Sequence, residues 1–277
     1  MSTADGTDPD STTPLIRRAH TRLQNAMHVD RDGENPDDPA TVQAMPLVME
    51  FPHDPLPDRR ALLEAAATAC VAVCLDPRAG EDSFFADALG RWYGARIRKI
   101  ARRARNRKWR DVQGMPGVTV SVNDASVRAF TPCPVTETPE LLNKLQIQGA
   151  DLVSDPSYAD TPEAVLVHDD APVIYVDASL EMTVGKAAAQ VSHGSMLLAA
   201  AMAGDAALDW AAHGFPLHVC EVSAGRFAEV RAEAEQRIKE VTETSNRPAA
   251  RAAAVVQDAG YTEIAPGSFT VVALQRG

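Results

Sequence analysis

The chain has 277 residues, 45% apolar and 23% charged, with a net charge of −11. That is a globular composition with mostly aliphatic cores, since only 5% is aromatic, and the acidic balance argues against blanket nucleic-acid affinity from overall charge. The four cysteines are too few and too scattered for a disulfide framework, and no apolar run approaches the roughly 18–20 residues that span a membrane; a reduced, soluble, cytoplasmic protein is expected.

Residues 1–43 are rich in Asp, Thr and Pro and predict a disordered tail. The pattern changes at Met45. "PLVMEF" predicts a short strand, and "DRRALLEAAATACVAVCL" predicts a helix with Leu62, Ala66, Ala69 and Val73 on one face. A second helix is expected over about Ser83–Arg110, then two strands, "GVTVSV" and "SVRAFTP", joined by an Asn123-Asp124 turn. These make a smaller α+β N-terminal domain over 44–133. Residues 134–170, punctuated by Pro and acids, predict a linker with one short helix. The last third, 171–277, is more regular. Strands at "PVIYV", "LHVCEV", "AAAVV" and "FTVVAL" alternate with helices, which implies an α/β domain on a mixed sheet. The strand–helix–helix–strand–strand order of 44–133 partly echoes this domain.

Within 96–110, "RIRKIARRARNRKWR" carries nine Lys and Arg and no acid. As a helix it would line up Arg96, Lys99, Arg103, Arg107 and Arg110 on one face, a pattern suited to an RNA backbone. The plainer reading is a solvated face, or one docked on this acidic protein's own surface.

Two further stretches gather groups with chemical uses. "VGKAAAQVSHGSMLLAAAMAG" follows a strand and sets Gly185, Lys186, Gln190, Ser192 and His193 near a helix start, where unpaired N–H groups favour an anion. A phosphate-binding P-loop is excluded: it needs Gly at Leu180 and Ser or Thr at Ala187. "QDAGYTEIAPGS" places Asp258, Thr262 and Ser268 on a loop between the last two strands. Each group has an ordinary explanation when taken alone, as a helix start or a turn residue. His213, His218 and Cys220 lack a second ligand pair at zinc spacing, so no metal site is expected.

Together, "GKAAAQVSH" and "DAGYTEIAPGSFTVVAL" resemble the second, archaeal and eukaryotic, class of peptidyl-tRNA hydrolases over about 171–277. The resemblance implies a four-stranded mixed sheet with helices on both faces, commonly in a homodimer, and hydrolysis of the ester between a stalled peptide and tRNA without metal or cofactor. It assigns catalysis to Lys186, Asp258 and Thr262, and substrate binding to Gly185, Gln190, His193 and Ser268. The chain departs from the family pattern at Val184 and Tyr261, where basic residues are usual. An acyl ester on a ribose is already activated, so an oriented water and a stabilised oxyanion suffice. Lys186 suits the oxyanion or a terminal phosphate, Asp258 the water, and Thr262 either Asp258 or the oxyanion. His193 reads as structural more readily than as a proton donor. Ser192 and His193 are consecutive and point about 100° apart on a helix, so no acyl-enzyme triad is expected. The other reading is a tRNA- or ribosome-associated binding protein on a decayed hydrolase. A homodimer, or a pseudo-dimer with the N-terminal domain as second half, is expected.

Overall fold

The computed structural model describes residues 9–35, 37–147, 152, 170–243, 251–258 and 264–276. The first element overturns an expectation. Helix α1, Pro9–Ala26, lies within the stretch predicted to be a disordered tail. Ala19, Leu23 and Ala26 are buried and Ile16 packs against the same core. This 3–4 spacing is an apolar stripe that the high overall polarity obscured. Arg22 ties the helix down through the carbonyl of Ala79 at 2.8 Å.

Strand β1, Gln43–Glu50, leads to helix α2, Arg59–Cys74, whose Asp58 cap accepts from the Ala61 N–H at 2.8 Å. Helices α3, Pro77–Gly80, and α4, Phe84–Tyr93, follow. The long helix expected over Ser83–Arg110 is not formed. It ends at Gly94, and the basic segment continues as strand β2, Arg98–Ala104, and a short helix α5, Asn106–Val112. Pairing in parallel with β1 from Ala44 to Glu50 overrides the good helix propensity of Arg, Lys and Ala. Charged side chains also protect an edge strand from pairing with other chains. Strands β3, Gly117–Val122, and β4, Ala125–Phe130, form the expected hairpin at Asn123-Asp124. A two-residue strand β5, Cys133–Pro134, joins β1, and helix α6 spans Glu140–Asn143. Most of the predicted linker lies outside the described residues.

Strand β6, Val173–Asp177, then precedes helix α7, Val184–Ala201, and helix α8, Gly204–Ala212. Strand β7, His218–Val222, helix α9, Ala224–Glu243, and strands β8, Ala253–Gln257, and β9, Phe269–Leu274, complete the described chain. The sheet is mixed, four-stranded and ordered β7-β6-β9-β8. Alternation along its strands places a helix on each face. Ile174, Val176, Val271 and Ala273 join the core with α7, while Val173, Tyr175, Val272 and Leu274 pack on Phe227 and Val230 of α9.

The N-terminal sheet runs β2-β1-β4-β3, and each of its pairings has the same direction as the corresponding C-terminal one. The two sheets therefore share one topology. They also share a core: α2 lies against α7, and a single apolar cluster includes residues of both. Small residues permit the close approach, and buried hydroxyls cross it. Ser192 donates to the Ala66 carbonyl at 3.0 Å and Ser195 to that of Ala67 at 2.7 Å. Each central helix also reaches the other sheet's edge strand. Glu64 of α2 accepts from the Val219 N–H of β7 at 3.1 Å, and His193 of α7 meets Lys99 of β2 at 3.0 Å. A buried ion pair, Arg59–Glu221 at 2.9 Å, closes the same seam.

Candidate active site

Thr183 caps α7 and accepts from the Lys186 N–H at 3.3 Å, which fixes the first turn just beyond β6. From that turn the Lys186 ammonium donates to Oδ2 of Asp258, the residue just after β8. Asp258 is 93% buried by residue surface, since only 7% remains exposed. A second donor reaches the same oxygen: Gln190 Nε2, one helical turn along α7, at 2.6 Å. Gln190 is itself held, because its Oε1 accepts from Thr270 Oγ1 of β9 at 3.0 Å. The backbone locks the carboxylate's carrier too. Asp258 N–H donates to the Ser268 carbonyl and Gly267 N–H to the Asp258 carbonyl, both at 2.8 Å. Two groups 72 residues apart are thus brought into contact by strand β8 and the start of α7.

These residues form one side of a cleft of about 1170 Å³. The other side belongs to the N-terminal sheet. Lys99 and Arg103 of β2 and Arg96 just before it line it, and Arg31 adds a cation that no pattern in the sequence singled out. Gly185, Lys186, Gln190 and His193 line it from α7. Along α7 the last three stand at i, i+4 and i+7, on one face.

Not every expected binding residue is there. Arg107 and Arg110 sit on α5, exposed and outside the cleft lining, with Arg107 3.5 Å from Asp111. The predicted single basic face is therefore split between a strand and a helix. Ser268 contributes a backbone carbonyl and is not among the cleft-lining residues. Thr262 and Tyr261 lie outside the described residues. Val184 is buried at the helix start. Thr270 went unnoticed in the sequence because a buried threonine in a strand has no distinguishing pattern.

The electrostatics divide the cleft in two. At the mouth of α7, opposite charges compensate in the Lys186–Asp258 pair. Deeper, Lys99 Nζ is 3.0 Å from His193 Nδ1, 3.9 Å from Met196 Sδ and 4.9 Å from the Trp92 ring centre. Burial lowers the Lys99 amine below its ordinary range. Burial, with the charges of Lys99 and Lys186, holds the His193 imidazole well below its usual value, so it is neutral and accepts from Lys99. Among the described residues, no group of three or more His, Cys, Asp or Glu could hold a metal ion, and no helix is long and apolar enough to cross a membrane.

A mixed sheet whose crossover helix opens on a lysine–aspartate pair thus faces a cleft whose opposite wall carries arginines. The comparison with known families is more specific. Residues 171–276 match the family model described as peptidyl-tRNA hydrolase PTH2, in agreement with the resemblance carried by the motifs. The match contains the whole C-terminal sheet and both members of the Lys186–Asp258 pair; the N-terminal sheet lies before it. A comparison with curated proteins returned no match.

Proposed function

We propose that the protein hydrolyses the ester between an N-substituted aminoacyl group and tRNA, returning stalled peptidyl-tRNA to translation in the cytoplasm. The observation that carries this reading is the contact between Lys186 and Asp258 inside the matched segment. In the free enzyme the two charges hold each other in place. On substrate binding, Asp258 orients a water and takes its proton as the oxygen attacks the acyl carbon. The carbonyl oxygen becomes an oxyanion beside the Lys186 ammonium and the first N–H groups of α7, which stabilise it without reorganising. The C–O bond to the ribose then breaks, and the proton held by Asp258 passes to the departing oxygen. Thr262 completes the group by holding Asp258 or donating to the oxyanion. No acyl-enzyme is formed: the Ser192 hydroxyl is buried and donates to the Ala188 and Ala66 carbonyls, away from the cleft.

Arg96 and Arg103 meet the tRNA backbone and supply charge that Val184 and Tyr261 do not. The N-terminal sheet takes the place of a second subunit, a reading supported by its shared topology and by the α2–α7 seam. The deciding experiment incubates N-acetylaminoacyl-tRNA with the wild type, Lys186→Ala and Asp258→Asn, each collected at the light-scattering mass of one chain. The wild type should release the acyl group, and each variant should be slower by about 100-fold or more. Binding of tRNA with no cleavage above the variants would favour a non-catalytic tRNA- or ribosome-associated role.

A further inference from the structure

We propose that Lys99, carried by the N-terminal sheet, forms with His193 a second subsite in the cleft, one that receives a backbone phosphodiester at the 3′ end of the substrate. The inference rests on the hydrolase reading for its substrate and on the geometry of the cleft for its location.

A lysine amine taken out of water ordinarily has a carboxylate for company, because an isolated buried cation is costly. Lys99 has none among the described residues. Its contacts are a neutral imidazole at 3.0 Å, a thioether at 3.9 Å and an indole face at 4.9 Å, with the buried thiols of Cys70 and Cys74 near enough to act on its charge. The imidazole accepts one N–H and the indole attracts the charge, but neither neutralises it. Arg31, Arg96 and Arg103 line the same cleft and add to the positive potential. Among the described residues no carboxylate reaches Lys99, whereas Arg98 of the same wall is paired with Glu34 and Lys186 with Asp258, and the cleft gives an external anion access to Lys99.

Position selects the kind of anion. His193 follows Lys186 by seven residues on α7, which sets the two sites about 10 Å apart along the helix. If the scissile ester lies at Lys186 and Asp258, the Lys99–His193 pair stands at the distance spanned by a nucleotide or so of the attached chain. A phosphodiester there meets the lysine ammonium. The nearby arginines can then follow the chain outward. Lys99 lies outside the family-matched segment, so the subsite is assembled across the seam between the two sheets.

The test uses two minimal esters on the full-length protein: 2′(3′)-O-(N-acetylaminoacyl)adenosine, which has no phosphate, and the same ester on the dinucleotide cytidylyl-adenosine, which has one. The wild type should prefer the dinucleotide ester in kcat/KM. Lys99→Met, which keeps an unbranched side chain and removes the charge, should lower that preference at least tenfold, mainly through KM. Lys99→Gln should behave likewise, and both variants should retain the wild-type circular dichroism. Calorimetric binding of unesterified cytidylyl-adenosine against adenosine reads the subsite without turnover, and the same variants should erase the difference. An unchanged preference in both assays, or an equal loss for both members of each pair, overturns the subsite. A wild type that cleaves neither ester nor N-acetylaminoacyl-tRNA, while its Lys99-dependent preference for the dinucleotide persists in calorimetry, overturns the hydrolase reading instead.

Discussion

Gln190 is fastened at both ends of its amide, to Asp258 at 2.6 Å and to Thr270 at 3.0 Å. Held so, it fixes the aim of the carboxylate, and it also lines the cleft, where the family resemblance implies contact with substrate. Gln190→Leu preserves volume and removes both hydrogen bonds in a buried place, so it should cost about 1–3 kcal/mol in urea unfolding. It should also lower kcat by more than it raises KM, since the carboxylate is misplaced without loss of the binding surface. Thr270→Val should show the same pattern more weakly, because it frees the far end of the amide only. Lys186, Asp258 and Gln190 were legible because their motifs are long and local. The Lys99–His193 contact was not, because it joins residues 94 apart through packing that no local pattern encodes.

At the scale of elements, α7 is the member on which the site depends, and Gly194 sets its seat. A Cβ at that position would come within 2.9 Å of Val271 Cγ1 and 3.4 Å of Ile174 Cγ2, both on fully buried side chains. Gly194→Ala gains about 1 kcal/mol in helix propensity yet must push the helix off the sheet. A net loss of about 1–2 kcal/mol is expected from chemical denaturation, with reduced ester cleavage, because Lys186 and Gln190 ride on the same helix. The basic segment teaches the converse lesson. Its apolar residues fit a helical stripe as well as a strand, and nothing within 96–110 could weigh against helix the parallel pairing with β1, a strand some fifty residues earlier. Helix α1 was missed for a related reason: its apolar stripe is narrow, and its partners lie far along the chain, including the Ala199 carbonyl bound by His20 at 2.8 Å.

Across the whole molecule the two sheets share one apolar cluster, so the boundary that composition suggested between 44–133 and 171–277 does not divide the core. The similar element order was visible in the sequence. The common sheet order and the α2–α7 seam were not, since the packing between helices of Ala, Ser and Gly leaves little periodic signal. The seam also carries a pH dependence. His20 is held below its ordinary value by burial, and His193 well below by burial with the Lys99, Lys186 and Arg31 charges. Both imidazoles are thus neutral in the native protein, whereas the unfolded chain binds a proton at each below about pH 6.5. The unfolded state then holds more protons, so stability should fall as pH drops from about 6.5 toward the depressed native values. The limiting slope is about 1.4 kcal/mol per pH unit for each histidine. Urea titrations between pH 7.5 and 5 check this, and His20→Gln should remove part of the slope.

The arginines of β2 and Arg31 open onto one cleft of a protein whose net charge is −11. For a long polyanion diffusing toward it, most headings meet repulsion and one meets attraction, so the field itself selects the angle of approach before any atom touches. Counterions that blur this contrast would slow capture and permit misaligned encounters, leaving the bond-breaking step, once reached, much as it was.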